Sequence, residues 1–123
     1  MENNLDALIG AEIISIDNNK IVIKKNEKQF ILTLDEDYGD CCGYNDIKTK
    51  LLINDNSKAI ITKIEKIQEE DGCSSTCKIT FFGEYKPIAE IETLSSSDSG
   101  CAYGACVSLI CDALEINEML SDW

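Results

Sequence analysis

At 123 residues the chain has the length of one domain, residues 1–123, and can bury roughly 65% of its unfolded surface without covalent staples. It holds no histidine and no arginine, and 11 lysines stand against 23 acidic residues for a net charge of −12. Without histidine the usual general base near neutral pH is missing, as are Ser-His and Cys-His nucleophile pairs. Without arginine, and with so negative a field, direct nucleic-acid binding is disfavoured.

The opening MENNLDALIG has neither the basic start nor the apolar core of a secretory signal, and no apolar run reaches the ~20 residues of a membrane span. The expected location is therefore cytoplasmic, with no membrane partner, and the seven cysteines are read first as thiols. The charge is lopsided. Residues 1–66 carry 12 acids and 9 lysines, net −3, whereas residues 67–123 carry 11 acids and 2 lysines, net −9. Acids serve solubility on many surfaces, but a concentration of this kind also suits docking to a basic protein.

Eighteen isoleucines and few aromatics favour half-buried strands. In chain order, GAEIISID, KIVIKK and QFILTLDED alternate with period two and are joined by short polar turns, the pattern of an antiparallel meander. YGDCCGYND follows as a loop. DIKTKLLI, residues 46–53, is predicted as a short helix, with Asp46 as N-cap and Ile47 and Leu51 on one face. KAIITKIEKIQ fits a helical stripe or a strand, and its β-branched density favours the strand. EEDGCSST reads as a polar turn, CKITFFGEY as a strand broken at Gly83, and KPIAEIETL as a strand entered at Pro87. Residues 95–104 read as a loop, ACVSLICDALE as a closing strand, and INEMLSDW as a terminal helical turn. The expected fold class is α+β: a mostly antiparallel sheet of six or seven strands with one or two short helices.

Few motifs carry chemistry. CSSTC sets Cys73 and Cys77 at a spacing that fits a zinc knuckle loosely, but a second knuckle is missing, so no metal is expected and Cys73 with Cys77 is only the nearest approach to a site. Cys106 and Cys111 read as core filling. Asp37, Asp40 and Asp46 surround Cys41 and Cys42 and work against a reactive thiolate there. The acids of DEDYGD depart from calcium-loop spacing, and SSSDSGCAYGAC lacks the lysine of a phosphate loop, so no cofactor is expected.

Leu8, Gly10 and Ile13 at the start, Gly39, Asp40, Cys41 and Cys42 at the first loop, and Ser99, Gly100, Tyr103 and Gly104 late in the chain together resemble a family of small uncharacterised proteins found mainly in phages and mobile elements. The resemblance runs from about residue 8 to residue 111, and its specific step is Gly-Asp-Cys-Cys. It implies a phage-associated setting inside a host cell and carries no assigned activity. Within it Gly39, Asp40, Cys41, Cys42 and Gly43 read as a structural turn, its glycines free to take angles closed to other residues. The expected function is non-enzymatic: binding of a host protein with a basic surface, such as a defence or nucleic-acid-processing factor, through Glu69, Glu70, Asp71, Glu90 and Glu92. The alternative is a small-ligand or zinc-binding module using the 37–46 and 95–106 loops. Oligomeric state is left open.

Overall fold

A computed structural model describes residues 4–17, 19–38, 43–52, 60–71, 74–84, 86–97 and 105–122. Nine strands make up most of these residues: β1 (Glu12–Asp17), β2 (Lys20–Lys25), β3 (Lys28–Tyr38), β4 (Gly43–Leu51), β5 (Lys63–Asp71), β6 (Ser74–Phe82), β7 (Pro87–Ser97), β8 (Ala105–Cys111) and β9 (Ile116–Asp122). Two 3₁₀ turns, Asn4–Leu8 and Asp112–Leu114, are the only helical elements among the described residues. The fold is therefore all-β, not α+β, and no described helix is long and apolar enough to cross a membrane.

The strands form two antiparallel sheets, one ordered β1-β2-β3-β8-β9 and the other β4-β7-β6-β5. Their inward faces meet in one apolar core. The first sheet supplies Ile21, Ile23, Leu32, Leu34 and Leu109, and the second supplies Ile79, Phe81 and Ile91, all buried. Leu5 and Leu8 from the first 3₁₀ turn belong to the same cluster. The turn is tied down where Gly10 N–H donates to the Ile61 carbonyl at 2.7 Å and Lys25 Nζ to the Ala7 carbonyl at 2.6 Å. Gly10 holds φ +90°, an angle that side chains resist.

The meander β1-β2-β3 is as predicted, with β2 and β3 alternating strictly. In β1, however, a bulge between Ile13 and Ser15 breaks the alternation, so that Ile13 and Ile16 face inward and Ile14 faces out. Two predicted helices are strands instead. Residues 43–51 pair along their whole length with β7, from Gly43 opposite Ser97 to Leu51 opposite Ala89. Ile47 and Leu51, four apart, mimic a helical face, but Thr49 lies on the same side, and an eleven-residue β7 needs a partner for its backbone groups. INEMLSD pairs with β8 as β9. Its register shifts between Val107 and Ser108, so that Leu120 is the extra residue of a bulge. The bulge keeps both Leu120 and Ser121 inward and breaks the period-two signal. The polar segments predicted as loops are partly strand too: β5 runs to Asp71, β6 starts at Ser74, and Ser95 to Ser97 complete β7.

The four sheet edges are protected in different ways. β1 carries a bulge between Ile13 and Ser15, and β4 and β5 carry charged side chains. At β9 the Leu120 carbonyl accepts from Gln68 Nε2 at 2.8 Å and the Met119 carbonyl from Lys66 Nζ at 3.1 Å, both donors reaching across from β5. Lys66 also pairs with Glu118 at 2.5 Å. The seam between β5 and β9 is thus closed by polar groups, not by backbone pairing.

One end of the sandwich is closed by a directed hydrogen-bond chain. Ser95 Oγ donates to Asn45 Oδ1 at 2.6 Å, so its single proton is used and the 2.8 Å contact with Ser121 Oγ has Ser121 as donor. Asn45 Nδ2 in turn donates to the Cys106 carbonyl at 3.2 Å. The chain links β9, β7, β4 and β8, crossing between the sheets twice. Replacing Ser95 with Ala takes the acceptor from the buried Ser121 hydroxyl and one donor from the half-buried Asn45, and is expected to cost about 1–3 kcal/mol in urea titration. The exposed Ser15→Ala should stay within about 0.5 kcal/mol of wild type.

Candidate functional site

The outward face of the four-stranded sheet is set by the same alternation that builds the core. Register lines up three rows across it: Lys50–Glu90–Thr80–Glu65, then Lys48–Glu92–Lys78–Ile67, then Asp46–Leu94–Thr76–Glu69. The middle and last rows border an open groove of about 420 Å³. Its apolar residues are Ile67, 52% exposed, and the half-buried Leu94. Lys78 stands at the centre, with Nζ 3.2 Å from Glu90 Oε2 and 3.9 Å from Glu92 Oε1.

The five acids expected to form one docking surface are dispersed. Glu90 and Glu92 bracket Lys78 in a mixed-charge ladder, and Glu69 ends the last row. Glu70 points to the opposite side of β5, where a second groove of about 350 Å³ runs past Gln68, Ser75, Met119 and Leu120. Asp71 ends β5 opposite Ser74. The third row nevertheless stays acidic: Asp46 and Glu69 flank Leu94 and Thr76, and among the described residues neither has an ion-pair partner. Reading residues 46–53 as a helix puts Asp46 at a cap and hides its contribution to this face. The signal that does point to the face is the outward period-two run of Thr76, Lys78 and Thr80 beside Glu90, Glu92 and Leu94.

Gly39, Asp40, Cys41, Cys42 and Cys73 lie outside the described residues, and Gly43 is the first residue of β4, paired with Ser97, not a turn residue. Cys77 faces inward in the row Ile47–Thr93–Cys77–Gln68 and is buried. Burial pushes its thiol up to about 11, with Lys66 partly opposing the rise and Glu118 adding to it. Cys111 is also buried, as core filling requires, while Cys106 is half-exposed at the start of β8. Among the described residues no three His, Cys, Asp or Glu side chains gather closely enough to hold a metal ion. The hydroxyl of Thr93, next to Cys77 in the inward row, is buried without a hydrogen-bond partner among those residues.

Comparison of the chain with protein-family models, with curated proteins and with solved structures gives no match. The site is thus defined by its own geometry: an open sheet surface with an apolar floor, a central lysine and acidic ends.

The Cys77 thiol has a pH signature. It ionises at its ordinary value near 9.0 in the unfolded chain and near 11 in the folded one. It therefore leaves stability unchanged at neutral pH and lowers it as pH climbs through that window. Urea titration is expected to show wild type losing more stability than Cys77→Val between those pH values. Native Cys77 should also be alkylated far more slowly at neutral pH than in the denatured chain.

Proposed function

We propose that this protein is a non-enzymatic binding module that engages a partner protein through the outward face of the four-stranded sheet. The observation that carries this reading is the third row, in which an apolar residue and a threonine lie between two carboxylates without ion-pair partners among the described residues. Such a surface suits a basic segment with an apolar side chain, which would seat against Leu94 and Ile67 while its cations meet Asp46 and Glu69. The acids of the groove stand on an open, solvent-facing surface, and the chain has no histidine, so general acid–base chemistry has little to build on here. The resemblance to small phage and mobile-element proteins supports a partner among the proteins of a host cell, a defence or nucleic-acid-processing factor being the class expected.

A second reading, a thiol-based zinc or small-ligand module, draws on one observation. Strand ends Tyr38, Gly43, Asp71, Ser74, Ser97 and Ala105, which flank Cys41, Cys42, Cys73 and Cys101 in sequence, converge at one end of the sandwich through the pairs Tyr38–Ala105, Gly43–Ser97 and Asp71–Ser74. Elemental analysis of protein purified without chelator separates the two: stoichiometric zinc would favour the second reading.

The docking reading is tested by affinity capture from host extract with the tagged full chain. A partner held by wild type is expected to be retained by Ile31→Glu, on the other sheet. Asp46→Lys combined with Glu69→Lys should weaken it at least about tenfold, roughly 1.4 kcal/mol. Raising salt from about 50 mM to about 500 mM should weaken it as well. Full retention by the double variant, or loss with Ile31→Glu, would refute the assignment of this face.

A further inference from the structure

The outward face of the five-stranded sheet has its own organisation. Ile14, 43% exposed, Val22, half-buried, and Ile31, 56% exposed, form an apolar stripe across β1, β2 and β3. Val22 pairs directly with Ile31, and the β1 bulge turns both Ile14 and Ser15 outward beside Val22. On either side of the stripe lies one acid–lysine pair: Glu12 opposite Lys24, and Asp17 opposite Lys20. In both, the acid is on β1 and the lysine on β2. Among the described residues none of the four has an ion-pair partner within 4.0 Å, and together they sum to zero charge.

This arrangement complements itself. We infer that the β1-β2-β3 face is a weak homodimer interface, in which a second copy packs face to face about a two-fold axis running along the strands between β1 and β2. That operation lays each β1 over the other copy's β2. Glu12 then meets the second copy's Lys24, Asp17 meets its Lys20, and Ile14 meets its Val22, with every contact occurring twice, as an isologous interface requires. Ile60, bridged to Glu12 on the far side of β1 and 41% exposed, borders the overlap where the second copy's β3 arrives.

Charge decides the occupant. A chain of net charge −12 repels another copy at long range, so association needs a face that is locally neutral and alternates in sign. This face meets both conditions, and a uniformly acidic or basic partner would leave half of its charges opposed by like charge. Three strands of about six residues cover roughly 300 Å² per copy, well under half the ~800 Å² per partner of a standard complex. The dimer is accordingly transient, and its face is opposite the docking groove, so the two occupants do not compete.

Sedimentation of the full chain from about 10 µM to about 1 mM tests the inference. Wild type is expected to dimerise within that range. The all-acidic variant, Lys20→Glu with Lys24→Glu, and the all-basic variant, Glu12→Lys with Asp17→Lys, should each associate at least about tenfold more weakly. Mixed in equal amounts, the two should form a heterodimer at least as tight as the wild-type dimer. Circular dichroism checks that both stay folded, which substitutions at outward positions allow. A wild-type chain that stays monomeric throughout, single-sign variants that dimerise as well as wild type, or a mixture that fails to associate would each overturn it.

Discussion

The whole molecule depends on burying two aliphatic sheet faces against each other. A lone antiparallel sheet of this composition would leave Ile21, Ile23, Leu32 and Leu34 in water, and the second sheet would leave Ile79, Phe81 and Ile91 there. At about 25 cal/mol per Å² of apolar surface, neither loss is small beside the 5–15 kcal/mol that separates folded from unfolded. Because side chains alternate along a strand, fixing which residues face inward also fixes which face out. The groove on one outer face and the apolar stripe on the other follow from the same constraint.

Polar groups finish what the core begins, and they do so at the boundaries between sheets. The Lys66–Glu118 pair and the Gln68 contact close the β5-β9 seam, where the Leu120 bulge leaves a carbonyl in need of a donor. The Ser121–Ser95–Asn45 chain closes one end. Buried hydrogen bonds of this kind add modestly to stability but are costly to leave half-made. They therefore fix how the sheets sit on each other more than how strongly they attract. Thr93 is the exception, a buried hydroxyl without a partner among the described residues.

Period-two alternation makes β2 and β3 legible from the amino acids alone, because each carries one unbroken apolar face. β1 is legible as a strand although its bulge sets the inward Ile13 and Ile16 three apart. β4 and β9 are not legible, for a shared reason: each places two apolar residues four apart, Ile47 with Leu51 and Ile116 with Leu120, and four is a multiple of two as well as roughly one helical turn. On that side the intervening residue is Thr49 in β4 and Glu118 in β9, so neither strand shows an unbroken apolar face. Tertiary pairing with β7 and β8 decides both cases. The site is legible in its ingredients and not in its arrangement. Net charge by segment cannot reveal that Lys78 stands between Glu90 and Glu92, that Glu70 faces away from Glu69, or that Asp46 joins the acidic row. Those facts depend on register, which single-strand patterns do not contain.

If both sheets draw their stability from one shared core, they open together. Native-state amide hydrogen exchange, followed across β3 and β8 in one sheet and β6 and β7 in the other, measures this directly. The slowest amides of all four strands should report the same opening free energy, equal to that of global unfolding, and should shift in parallel with added denaturant. Exchange of β6 and β7 through a separate opening of lower energy, while β3 and β8 remained protected, would contradict the shared core and everything placed on its outer faces.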